Sequence, residues 1–287
     1  MRFIFGRSGI VAFLIIAGVI LGIVLLTARP EVEPVAIPAS GPVYQVIGSS
    51  VQGRTIDAYT YGTGTTYLAF IGGVHGGYEW NSVLLAYEFM DYLKANPAVI
   101  PAGFKVSVIP NANPDGVFSI VKKEGRFTMD DVPTGDTSAG RFNANKVDLN
   151  RNFDCKWQPK GTWRGATVSA GDKAFSEPEA RALRDFMLKE RPDAAIFWHS
   201  QANAVYASEC TAGILPETLT MMNVYSKAAG YKPVASFDAY PVTGDVEGWL
   251  ASIGIPAITV ELSTHETVEW ERNLAGVKAL FSSFTAK

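Results

Sequence analysis

The stretch Thr66-Tyr67-Leu68-Ala69-Phe70-Ile71-Gly72-Gly73-Val74-His75-Gly76-Gly77-Tyr78-Glu79 decides how the chain is read. Its first half is a short, uncharged apolar run with little alternation, the pattern of a strand buried on both faces. Two glycine pairs then interrupt it, with His75 between them. From Trp80 the spacing changes: Val83, Leu84, Tyr87, Met90 and Leu93 recur at helical intervals as far as Asn96. The segment reads as strand, tight loop and helix, with an imidazole and a carboxylate carried in the loop.

The same alternation continues outward. Residues 104–110, 194–199 and 257–262 are further apolar runs of strand length, and 55–60 alternates polar and apolar as an edge strand would. Ser176-Glu177-Pro178-Glu179 reads as a capping box with proline in the first turn, opening a helix whose apolar face runs through Leu183, Phe186 and Met187. Further helices are expected around 217–229 and from Thr267 to the C-terminus. Strands alternating with helices predict an α/β fold, with a mixed, mostly parallel central sheet and helices on both faces. Ligands in such sheets sit beyond the carboxyl ends of the strands. The chemically interesting residues fall there: His75 and Asn111 after two strands, His199 and Glu261 at the ends of two more.

The chain has 287 residues and a net charge of −3 with both signs interspersed, so no basic tract points to nucleic acid. Residues 8–28 carry no charge, and 21 helical residues at ~1.5 Å each match a bilayer core. The expected organisation is an N-terminal membrane anchor (1–28), a proline-rich linker (29–42) and one catalytic domain (43–287). Arg2 and Arg7 before the apolar run place the N-terminus in the cytoplasm and the domain outside. The end of the run is a poor cleavage site, so an anchor is favoured over secretion after cleavage. In an exported domain Cys155 and Cys210 either pair or remain two buried thiols, and alone they cannot build a zinc cluster.

Only three histidines occur, His75, His199 and His265. His75 and Glu79 lie four residues apart, with glycines that let the backbone bend them together. With His199 as third ligand, a metal would keep one position open for water, as a catalytic zinc requires. Taken alone, the string reads equally as a glycine-rich turn with a helix-starting glutamate. The rest of the set decides. Asn111-Ala112-Asn113-Pro114-Asp115-Gly116 comes first, then Asp148-Leu149-Asn150-Arg151-Asn152, Trp198-His199-Ser200 and Thr259-Val260-Glu261-Leu262. In that order they resemble the zinc metallocarboxypeptidase family of the carboxypeptidase A type, over roughly 45–285.

The resemblance implies one Zn2+ held by His75, Glu79 and His199. Glu261 matches the general base. Arg141 matches the arginine that stabilises the oxyanion, with Arg126 an alternative in the same stretch. Asn150 and Arg151 match the pair that grips a terminal carboxylate, a task suited to the planar guanidinium fork. Tyr240 matches a tyrosine that closes over substrate. Asp245 and Glu247 fall in the side-chain pocket, Glu247 at a specificity-setting position, which implies a preference for basic or diaminopimelate-type terminal residues. The expected partner is a peptide with a free C-terminal carboxylate, and the expected state is a monomer tethered to the membrane by its N-terminal helix. One departure stands out: three residues, not the usual two, separate His75 from the glutamate, and Tyr78 occupies the usual position. That spacing is the single feature favouring an inactive peptide- or cell-wall-binding module. Ser119-Ile120-Val121-Lys122 fits a serine acyl-transfer string but lacks its partner motifs.

Overall fold

The computed structural model describes residues 41–285, so the expected anchor and nearly all of the linker lie outside the described residues. Among the described residues no helix is long and apolar enough to cross a membrane.

In chain order the strands are β1 (Val43–Ser49), β2 (Thr55–Tyr61), β3 (Thr66–Ile71), β4 (Phe104–Ile109), β5 (Lys160–Trp163), β6 (Ala166–Ser169), β7 (Ala194–Ser200), β8 (Ala204–Ala207), β9 (Glu209–Cys210), β10 (Gly213–Ile214), β11 (Lys232–Val234) and β12 (Ala257–Leu262). The helices are α1 (Trp80–Ala95), α2 (Pro114–Val121), α3 (Pro178–Glu190), α4 (Pro216–Ala229), α5 (Val246–Ser252) and α6 (Trp270–Thr285). Eight strands form one mixed sheet in the order β1-β2-β4-β3-β7-β12-β8-β11. Its middle four, β4, β3, β7 and β12, run parallel.

The continuous apolar runs are explained by burial on both faces. In β3, Leu68 and Phe70 join Leu85, Phe89, Tyr225 and Phe281 in a core formed with α1, α4 and α6. The alternate residues Ala69 and Ile71 join Leu183, Phe186, Trp249 and Leu250 beneath α3 and α5. From β3 the chain passes to β4 on one side, while β7 lies on the other. Their carboxyl ends therefore flank a topological switch point, where open α/β sheets leave a crevice.

Two local expectations are corrected. The alternating segment β2 is not the edge, because β1 pairs along it and exposes Val43, Tyr44 and Val46. Its alternation comes from Ile56 and Ala58 turning into the core. At α3 the capping box does not form: Glu177 is the N-cap without a side-chain cap bond. Ser176 donates to Glu177, and the Glu177 and Glu179 carboxylates accept from Asn143.

Cys155 and Cys210 are joined by a disulfide, with their Cα atoms 6.0 Å apart and a sequence separation of 55. Loop-closure entropy for a loop of that length predicts about 4 kcal/mol of stabilisation. The Cys155→Ser/Cys210→Ser double variant should unfold at a clearly lower urea midpoint, and an unchanged midpoint would show that the crosslink does not constrain the unfolded chain.

Candidate active site

Beyond Ile71 the backbone turns at Gly73 and Gly76, both at positive φ. At Gly76 a Cβ would lie 2.6 Å from the Gly140 carbonyl oxygen and 2.9 Å from Gly116 Cα, so only glycine fits. The 3-10 turn Gly76–Glu79 then leads into α1 and brings His75 and Glu79 to one side, Nδ1 to Oε1 at 2.7 Å. His199 arrives from β7, beside Glu261 on β12 in register. Its Nδ1 lies 2.9 Å from Glu79 Oε2 and 3.1 Å from His75 Nδ1.

The extra residue in the loop is taken up by Tyr78. Its ring turns aside against His265 (4.4 Å between centroids) and Trp163 (5.1 Å), and its hydroxyl accepts from Arg164 at 3.4 Å. Glu79 is thereby free to reach both imidazoles. The three buried residues offer ligand atoms within 4.8 Å of one another. Two ring nitrogens facing each other across a carboxylate fit a shared cation. Two nitrogens and an oxygen, with room for a fourth ligand, is the donor set of a catalytic zinc.

Charge balance within the cluster is tight. Burial opposes ionisation of Glu79, but the two imidazoles outweigh it and hold its carboxyl well below the usual range. Burial would lower His199, yet the Glu79 and Glu247 carboxylates hold it well above its ordinary value. Glu261 is pushed up to about 8, first by burial and then by the charge on Glu79.

A cavity of about 640 Å³ opens beside these groups, lined also by Arg141, Arg151, Tyr240, Asp245, Glu247 and Glu261. Arg141 is buried, with Nε 2.9 Å from Asp148 Oδ2 and Nη1 3.7 Å from Glu79. Arg126 instead pairs with Asp91 at the surface. Arg151 is 3% exposed and donates to the backbone carbonyls of Asn150 and Thr162, while its Nε has no hydrogen-bond partner among the described residues. Asn150 Oδ1 accepts from Val246 N at 2.9 Å and so fixes the start of α5. Asp245 caps α5 by accepting from Gly248 N. Glu247 accepts from Thr259 Oγ1 at 3.0 Å, and Tyr240 stands edge-on to Phe237 at 4.8 Å. His265 lies outside the metal set, its Nδ1 2.7 Å from Ser200 Oγ.

Asp148 received no role in the sequence reading, although it heads the string that contains Asn150 and Arg151. In the fold it accepts from Arg141 and from Asn150 N, and its Oδ1 faces His75 Nε2 at 3.4 Å. Trp163 and Arg164, from the β5–β6 hairpin, carried no sequence signal at all.

A sequence profile of the zinc carboxypeptidase family matches residues 42–274. The chain belongs to that family. Zinc carboxypeptidases are zinc-dependent peptidases, in keeping with the donor set of His75, Glu79 and His199. Among curated proteins, this zinc carboxypeptidase is 25% identical over 242 residues to gamma-D-glutamyl-L-diamino acid endopeptidase 1 of Lysinibacillus sphaericus, covering 76% of this chain and 60% of that protein. It is 27% identical over 139 residues to murein peptide amidase A of Escherichia coli K12, covering 45% and 54% respectively. The chain therefore spans less than two thirds of either relative. Solved structures share the fold. Bovine thrombin-activatable fibrinolysis inhibitor superposes with a TM-score of 0.65 at 18% identity, covering 85% of this chain and 88% of that one. Murein-tripeptide amidase from Escherichia coli O157 superposes with a TM-score of 0.61 at 24% identity, covering 88% and 96%.

Proposed function

We propose that the chain is a zinc-dependent carboxypeptidase that releases a terminal residue with a free carboxylate and a basic or diamino side chain. We further propose that it works outside the cytoplasm, held to the membrane by residues 1–28. The observation that carries the catalytic reading is Arg151. Its nearly fully buried guanidinium has no carboxylate in ion-pair range among the described residues, and it faces the cavity that also holds the three metal donors and Glu261. The buried carboxylates of Asp148 and Asp245 act on it only from beyond contact distance, and a substrate's terminal carboxylate would supply the direct anionic partner that a buried guanidinium favours.

His75, Glu79 and His199 would hold the zinc, which when bound supplies Lewis acidity toward a carbonyl oxygen and toward water. The chain's own groups do the rest. Arg151 grips the terminal carboxylate and fixes the scissile bond beside the metal donors and Glu261 in the cavity wall. Glu261, in its ionised form, takes a proton from the attacking water and returns it to the departing amine. Arg141, fixed through Asp148, turns its positive charge toward the oxyanion that develops.

The carboxylate of Asp245 in the same cavity wall suits a basic departing side chain. The relatives named for gamma-D-glutamyl-diamino acid and murein peptide bonds favour testing a diamino acid first. Asp245 is pushed up to about 6, by burial and then by the charge on Glu247. Its carboxyl is neutral below that pH and charged above it. The ratio of kcat/KM for a C-terminal Lys peptide to that for a C-terminal Leu peptide should therefore fall as pH drops through about 6. A ratio that stays flat between about pH 5 and 8 would mean that Asp245 does not read the side chain's charge.

The binding-module reading rested on the longer His75-to-Glu79 spacing, and it loses that support because Glu79 reaches both imidazoles. The test is digestion of peptides ending in Lys, diaminopimelate, Leu or Phe, including a gamma-D-glutamyl-diamino acid linkage. Mass spectrometry should show loss of one C-terminal residue, stopped by a chelator and restored by zinc. Internal cuts would contradict the exopeptidase reading, and zinc binding without turnover would return the binding module.

A further inference from the structure

Glu247 stands where the family resemblance puts a residue that selects the departing side chain, yet its carboxylate is engaged with the metal set. It is 3% exposed, and Oε1 lies 3.3 Å from His199 Nε2. That ring nitrogen is buried and has no formed hydrogen bond to any described residue. The same Oε1 accepts from Thr259 at 3.0 Å. Thr259 lies on β12 two residues before Glu261, on the face of the sheet that also carries His199. A hydroxyl from the strand thus fixes the carboxylate beneath the imidazole.

The other histidine has a matching arrangement. His75 Nε2 faces Asp148 Oδ1 at 3.4 Å and likewise has no formed hydrogen bond. Each imidazole turns Nδ1 toward Glu79 and Nε2 toward a buried carboxylate of its own. Both outer contacts are slightly longer than a formed N–H···O bond. The two supports are also tied together, because Asn150, two residues after Asp148 and bonded to it through its N–H, accepts from the first residue of α5 ahead of Glu247.

From this geometry we infer that Glu247 is a positioning residue, which orients and polarises His199 for a divalent cation and does not select the departing side chain. An imidazole that gives its outer N–H to a carboxylate is locked in one tautomer and is a better donor at the inner nitrogen. Replacing such an outer partner typically lowers metal affinity 10–100-fold. Selection of a basic side chain then falls to Asp245. The inference rests on the proposal that His75, Glu79 and His199 hold zinc.

The experiment measures zinc affinity of the full chain by competition with a chromogenic chelator, for wild type, Glu247→Gln and Thr259→Val. It adds the Lys-to-Leu ratio of kcat/KM at saturating zinc. Glu247→Gln should weaken zinc binding about tenfold or more, Thr259→Val should weaken it in the same direction by less, and neither should change the ratio measured at about pH 8, where Asp245 is charged with or without Glu247 beside it. If Glu247→Gln does not fold by circular dichroism, Thr259→Val carries the test alone. Wild-type zinc affinity in the folded variants overturns the inference and leaves the proposed function standing. A ratio that collapses while zinc affinity holds returns Glu247 to side-chain selection. A wild-type chain that binds no zinc overturns both proposals.

Discussion

Glu261→Gln should keep one zinc ion per chain and lose turnover by about 10²–10⁴-fold, the usual contribution of a positioned general base. The substitution preserves shape and removes the proton acceptor. Glu261 is not among the three converging donors, so metal content should not move. It stands beside His199 on the neighbouring strand, within reach of the metal donors. The loss should fall on kcat, with little change in KM, because the group acts on the proton in flight and not on the bound substrate. Turnover within threefold of wild type, with zinc retained, would remove Glu261 from the proton transfer.

Arg151→Ala should cut kcat/KM for peptides with a free C-terminal carboxylate by about 10²–10³-fold, the scale expected when one partner of a buried charge pair is truncated. A C-terminally amidated peptide, which offers no anion, should be cleaved poorly by both proteins and to a similar extent. Arg151→Lys should fall between, since a point charge cannot make two parallel bonds to one carboxylate. Arg151 also donates to the backbone at Asn150 and Thr162, so zinc content and thermal melting of the variant separate a lost substrate contact from a loosened loop. Equal losses on the free and amidated peptides would argue against terminal-carboxylate recognition and toward an endopeptidase.

The parts of this architecture that could be read from the sequence share one property, burial that leaves a pattern. β3, β7 and β12 are largely covered on both faces, so their residues are mostly apolar, and the functional groups at their ends stand out against that background. His75 and His199 were conspicuous because the chain has so few histidines. What stayed hidden depends on directions that sequence does not encode. Tyr78 and Glu79 compete for one place in the loop, and only packing of the Tyr78 ring against His265 and Trp163 shows which side chain turns inward. Glu247 was legible as a position, but the direction of its carboxylate is set by Thr259 on another strand. The β5–β6 hairpin consists of two short, half-exposed strands with no periodicity to read. The start of α2 was legible and was passed over: Asn113 caps it and Pro114 fills its first turn, within a string taken as a family marker.

The central claim is that one cation is shared by two imidazoles and a carboxylate brought from distant parts of the chain. A crystal structure of the zinc-loaded protein, with anomalous data collected at the zinc edge, tests it directly. The account predicts a single peak about 2.0–2.2 Å from His75 Nδ1, His199 Nδ1 and a Glu79 oxygen, with the two Nε2 atoms turned to Asp148 and Glu247. A peak elsewhere in the fold, or ligation without Glu79, would contradict it.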